Sequence, residues 1–166
     1  MFYTHIVCTE EDLPSGLSLL REAALWLKGK GIDYWQNWLS PPEAHLSWVR
    51  SGFQNGEFHF VKEGDALLGM YRLQDEDESF WGKQAQEAGY LHSFTTVRTL
   101  TDRGIGFRIM DDVSSMLLDK GVSLLRLDCG TANEGLRRYY EKYGFRKVRD
   151  VTAFGNFLTL HEKRLR

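Results

Sequence analysis

The stretch that most constrains this chain is Thr101–Val113, TDRGIGFRIMDDV. It follows YLHSFTTV (Tyr90–Val97), rich in β-formers, and it opens a helical pattern in which Ile109, Met110, Val113, Met116 and Leu117 share one face. Gly121 stands beyond the helix end, and the nearly continuous apolar run VSLLRLDC (Val122–Cys129) comes next. Strand, glycine turn, helix and strand make a βαβ crossover, whose two strands run parallel. Gly104 and Gly106 sit where the helix begins. First-turn amides have no partner inside a helix, and the helix dipole favours negative charge there. Glycines also let a bulky anion approach the backbone.

The remaining segments fix the context. Phe2–Cys8 reads as a first strand. LPSGLSLLREAALWLKGKG places Leu17, Leu20, Ala24 and Leu27 on one helical face, ended by Gly29 and Gly31. An aromatic connector with Tyr34, Trp35 and Trp38 leads to a second helix, in which Ser40 is expected as N-cap, Pro41 as first helical residue and Glu43 as the far side of a capping box. EFHFVKEGDALLGMYRL reads as a hairpin turning at Glu63-Gly64-Asp65. The acidic run Asp75–Glu78 reads as a solvated surface loop, with an attraction for cations as the alternative. NEGLRRYYEKYG is a short helix, and FRKVRDV and FLTLHEKRL are the last two strands. Hairpins combined with one crossover predict an α+β fold, with a mixed, mostly antiparallel central sheet flanked by helices, in one domain over residues 1–166.

Composition narrows the function. With 21 Lys+Arg against 23 Asp+Glu, the chain lacks the basic excess of a nucleic-acid binder. No apolar run approaches the ~20 residues of a membrane span, and the N-terminus has no signal-peptide pattern. Cys8 and Cys129 form neither a CxxC pair nor a cluster with histidines. Free thiols, a cytoplasmic setting and no metal are expected.

Three readings compete for the two glycines. A P-loop needs GxxxxGK followed by Ser or Thr, which is absent. A dinucleotide fingerprint needs a third glycine where Ile109 stands; Asp128 does end the next strand about 20 residues on, but too little chain follows for a second nucleotide-binding half. A plain turn with a helix cap is the third.

From Tyr90 to Phe145 the sequence resembles the GNAT superfamily of N-acetyltransferases. FTTVRTLTDRGIGFRIM resembles that family's coenzyme A loop, Arg/Gln-x-x-Gly-x-Gly/Ala after a strand ending in Val, with Val97, Gly104 and Gly106 in place and Thr101 departing from the usual Arg or Gln. LRLDCGTANEGLRRYYEKYGF resembles the Asn…Tyr-x-x-x-Gly-Phe segment, with Asn133, Tyr140, Gly144 and Phe145 in register.

The resemblance implies direct acetyl transfer from acetyl-CoA to a primary amine. An alkylamine of pKa about 10.4 is nucleophilic in only about one molecule per thousand at pH 7, roughly 4–5 kcal/mol uphill. A base must take that proton, an acid must meet the leaving thiolate, and a fixed N–H must meet the thioester oxygen. By the resemblance, Tyr140 is the proton donor and Asn133 adds a contact to the CoA arm besides capping its helix. Backbone near Val97 meets the pantetheine amides, and Thr101, Asp102, Arg103, Gly104, Ile105 and Gly106 hold the pyrophosphate. His92, on the strand before that loop, is the candidate base. Asp128 is an alternative for binding the incoming cation or ordering water.

Trp35 and Trp38 lie where the family builds its acceptor pocket, and they serve equally as core. The acceptor is a small-molecule amine, with a cationic one such as a polyamine or aminoglycoside favoured, or a peptide amine. A monomer or homodimer is expected. A non-catalytic acyl-CoA-binding module is the reading from another class.

Overall fold

The computed structural model describes residues 3–100 and 103–166. Among these residues seven strands form one sheet: β1 (Thr4–Val7), β2 (Phe58–Glu63), β3 (Ala66–Gln74), β4 (Gly89–Thr96), β5 (Leu124–Gly130), β6 (Arg146–Ala153) and β7 (Asn156–Arg164), in the order β1-β2-β3-β4-β5-β7-β6. Among the described residues five α-helices accompany them: α1 (Leu13–Gly29), α2 (Glu43–Gln54), α3 (Glu78–Trp81), α4 (Ile105–Asp119) and α5 (Glu134–Tyr143). The β4–β5 pair is parallel, as the crossover requires. The β1–β2, β2–β3, β5–β7 and β6–β7 pairs are antiparallel, so the mixed, mostly antiparallel α+β sheet expected from the sequence is present.

The chain divides into two compact units. The first comprises the chain up to Arg72 together with Ser93–Ile109. Its core joins Leu19 and Leu20 of α1, Val49 and Phe53 of α2, and Phe58, Phe60 and Met70 of β2 and β3. Phe53 and Phe58 stack with centroids 4.3 Å apart. Burying such side chains stabilises by roughly 1.5–3 kcal/mol each. The buried Arg72 donates from Nε to Glu57 Oε2 at 2.7 Å and lies 4.1 Å over the Trp48 ring.

The second unit comprises Leu73–His92 and Met110–Arg166. β5 is buried along most of its length and pairs with β7 from Leu124↔Arg164 to Gly130↔Leu158. Beneath it, Arg126 donates to Glu162 Oε2 and to the Tyr90 hydroxyl, both at 2.8 Å, and lies 4.9 Å over the buried Trp81 ring. Hydrogen bonds of this kind let a charged residue sit in a core.

Two local expectations are corrected. Helix α2 starts at Glu43 with Pro42 at its cap, and Ser40 is not the N-cap. Pro42 disfavours helical torsions at the residue before it, so Pro41 cannot be the first helical residue. The acidic run is not a wholly solvated loop: Asp75, Glu76 and Glu78 are exposed, but the Asp77 side chain is only 6% exposed and opens α3, its Oδ1 accepting from the Phe80 N–H at 3.4 Å.

Candidate functional site

The β4–β5 ladder runs Gly89↔Leu125, Tyr90↔Arg126, Leu91↔Leu127 and then stops, although both strands continue. His92 and Asp128 are the next residues past the last rung. Ser93 follows at φ 50°, a left-handed torsion uncommon for serine and a break in the strand's regular alternation.

At this point three ionisable side chains converge. His92 Nε2 lies 2.9 Å from Asp77 Oδ2, and His92 Nδ1 lies 3.5 Å from Asp128 Oδ2. The three side chains are 9%, 6% and 11% exposed in the order His92, Asp77, Asp128. An Asp77 carboxylate accepts from Nε2–H, which leaves the neutral imidazole with its lone pair at Nδ1, on the side of Asp128. Asp128 Oδ2 is buried and has no hydrogen-bond partner among the described residues. Burial raises the Asp128 carboxyl above its ordinary range, His92 acts against that rise, and Asp77 adds to it. A histidine lone pair and an unsatisfied carboxylate oxygen on the same side can receive one N–H donor between them.

Sequence reasoning singled out His92 and Asp128, and the fold brings them together. It missed Asp77. The available signal was an aspartate three residues before Phe80, the spacing of an N-cap side chain to the amide it accepts from.

Asn133 caps α5, its Oδ1 accepting from the Leu136 N–H at 3.2 Å. Tyr140, one turn and a half along that helix, is buried among Phe145, Tyr139 and His161, with ring centroids 5.7, 5.6 and 6.3 Å away. His161 is fully buried and its imidazole is pushed below the ordinary range by burial, so it is a neutral neighbour at pH 7. Cys129 follows Asp128, and burial pushes its thiol up to about 12. Such a thiol is inert, as expected of a free core cysteine.

The glycine loop belongs to the first unit. Thr101 and Asp102 lie outside the described residues. Gly104 has φ 70°, and a Cβ built there would meet nothing within 4 Å among the described residues, so it is the torsion that calls for glycine. The Gly104 carbonyl accepts from the Arg108 N–H at 3.2 Å, which starts α4 at Ile105. Gly106 is buried in the first turn, and Arg103 and Gly104 are exposed. A glycine with open space before a helix start, flanked by an exposed arginine, fits a pyrophosphate.

Val97 is more constrained than the sequence suggested. Its N–H donates to Leu68 O at 2.8 Å and its carbonyl accepts from Leu100 N at 3.0 Å, so that N–H is not open to a ligand. Trp35 and Trp38 pack against the core of the first unit, Trp35 at φ 61°.

A family model described as the acetyltransferase (GNAT) family matches residues 20–145. An uncharacterised N-acetyltransferase, YesJ, of Bacillus subtilis is 24% identical over 140 residues, covering 81% of this chain and 77% of that protein. A GNAT-family acetyltransferase from Listeria monocytogenes superposes with a TM-score of 0.79 at 23% identity, over 98% of this chain and 95% of that one. The aminoglycoside acetyltransferase AAC(6')-Ib in complex with coenzyme A gives a TM-score of 0.73 at 15% identity, over 98% and 95% of the two chains. The same enzyme with ribostamycin and coenzyme A gives 0.73 at 16%, over 99% and 94%. With three quarters of its length matched by that family model, this chain belongs to the GNAT acetyltransferase family and is an N-acetyltransferase with acetyl-CoA as its acetyl donor.

Proposed function

We propose that the chain acetylates the primary amine of a small molecule, with His92 as proton acceptor, Asp128 as receiver of the incoming ammonium, Asp77 as the residue that fixes the imidazole and Tyr140 as proton donor. The observation that carries this reading is the approach of His92 Nδ1 to Asp128 Oδ2 at 3.5 Å, an oxygen with no hydrogen-bond partner among the described residues, with Nε2 held by Asp77.

When bound, acetyl-CoA supplies an activated acyl group on sulfur. The chain's own residues do the rest. An ammonium N–H directed at Asp128 Oδ2 satisfies a buried acceptor that has no hydrogen-bond partner among the described residues, so a cationic amine gains where a neutral one does not. Its proton passes to His92 Nδ1, and the imidazolium is stabilised through Nε2–H by Asp77. The amine nitrogen would then attack the thioester carbon, the C–S bond would break as the Tyr140 phenol gives its proton to the departing sulfur, and the second proton, lost by the new amide nitrogen, would restore the phenol. Phe145 and His161 hold the phenol ring in place. Arg103, Gly104, Ile105 and Gly106 would hold the pyrophosphate, together with Thr101 and Asp102, and Asn133 would add its contact to the CoA arm.

A small acceptor is further supported by AAC(6')-Ib, an aminoglycoside acetyltransferase of the same fold solved with ribostamycin. The test is an acceptor panel of alkyl and aryl amines, polyamines, aminoglycosides, amino acids and peptides, scored by release of free CoA thiol. Turnover with small amines is expected, and turnover confined to peptides overturns the reading.

A further inference from the structure

We infer that Phe80 and Phe154 form a wall of the acceptor site and that they select primary amines whose nitrogen is carried on a flat, apolar body. This rests on the reading of His92 and Asp128 as the groups that receive the amine.

Three aromatic rings stand in series in the second unit. The Phe80 ring lies 5.6 Å from His92, and the Phe154 ring lies 5.5 Å from Phe80. The series runs from a histidine whose side chain is 9% exposed to a phenylalanine that is 74% exposed. It connects solvent to the base through apolar surface.

Phe154 is placed against two local preferences at once. Ala153 pairs with Asn156, so Phe154 and Gly155 are the two central residues of the β6–β7 turn, at φ 50° and φ 76°. A two-residue hairpin turn with both torsions positive favours Asn-Gly or Asp-Gly, and a bulky residue in the first place is an outlier. The residue is also largely exposed. A residue chosen for turn geometry or for solubility would not be phenylalanine. Local strain of this kind collects at ligand clamps. Phe157 on the same hairpin is likewise 74% exposed, beside Thr131 and Asp150 in a cavity of about 270 Å³. The hairpin tip thus carries exposed aromatic surface, and its Phe154 reaches the proposed base through Phe80.

The ligand chemistry follows from the two ends. The ammonium goes to Asp128 and His92, and the body lies against Phe80 and Phe154, where a ring gains edge or offset contacts that a hydrated polyamine or sugar does not. An arylalkylamine fits both ends.

Calorimetric titration of the CoA-saturated protein with 2-phenylethylamine and with ethylamine tests this, because the two share an ammonium and differ in the ring. The wild type is expected to bind 2-phenylethylamine at least about tenfold more tightly, the size of a buried aromatic contact. Phe154→Asn suits the turn and keeps the fold. It should collapse that ratio to about threefold or less while leaving ethylamine unchanged. Phe80→Leu, which retains apolar packing beside His92, should lower the ratio too. A ratio near one in the wild type, or one that survives both substitutions, overturns the proposal. CoA release under the same conditions reports separately on catalysis. Selective binding without turnover removes the role of His92 as base and leaves the aromatic wall standing. Turnover without selectivity does the reverse.

Discussion

The Nδ1 of His92 lies 3.5 Å from the Oδ2 of Asp128, one residue past the last rung of the parallel β4–β5 ladder. Two strands that had been exchanging backbone hydrogen bonds exchange side-chain chemistry instead at the point where they stop pairing.

Replacing His92 by Gln should lower kcat by about 10²–10⁴, the usual worth of a general base, with CoA affinity unchanged. Asp77→Asn should give a smaller loss, because the ring stays in place but its imidazolium loses a charged partner. A fall in apparent CoA affinity equal to the fall in kcat would mark both residues as structural. EDTA should leave the wild-type rate unaltered, since no step of the proposed transfer uses a metal ion.

Asp128→Asn should raise thermal stability at pH 7 and weaken amine binding in the same protein. The folded-state carboxyl is raised by burial, so the folded protein holds this proton more tightly than the unfolded chain does. Wild-type stability from this group is therefore present below the unfolded pKa and is lost as pH rises toward the folded one. The Asn variant lacks that loss. Calorimetric scans from pH 4 to pH 7 should show the gap in Tm opening as pH rises. A variant that is less stable than wild type at pH 7 contradicts the assignment of a desolvated carboxylate.

Tyr140→Phe keeps the ring among Phe145, Tyr139 and His161 and removes only the proton. The expected result is a kcat lower by about 10²–10⁴, measured where chemistry limits the rate, with CoA affinity nearly unchanged. Wild-type kcat in a folded variant removes Tyr140 from the mechanism.

Gly104→Val should cost about 1–2 kcal/mol in stability, because a branched residue is forced to φ 70°. It should cost far more in CoA affinity, by placing methyl groups in the open space before α4. Calorimetric Tm and a CoA titration separate the two effects. Equal CoA binding would reduce the glycine to a turn residue.

What could be read from the sequence divides along physical lines. The crossover, the hairpin turning at Gly64 and the helix capped by Asn133 rest on local spacing, and all three are present. The start of α2 was misplaced because the second of two prolines governs the first. Asp77 looked like one more charge in a soluble run; only the docking of its segment against β4 shows that this carboxylate, and not Asp75 or Glu76, is turned inward. Phe154 was hidden for the opposite reason. In TAFGN, between the two expected strands, it reads as an ordinary connector residue, and its oddity needs the turn torsions and the exposure of the ring. Val97 illustrates a third case, since a strand end foretells nothing about which neighbour claims its N–H.

The three-rung β4–β5 ladder also has a kinetic meaning. Its partners, Gly89–Leu91 and Leu125–Leu127, are separated by the loop and the whole of α4, so the pairing is long-range and parallel, the kind that closes late. His92 and Asp128 meet only once those rungs have formed. During refolding, helical circular dichroism should therefore return before acetyl transfer does, and the delay between the two signals times the closure of this one short ladder.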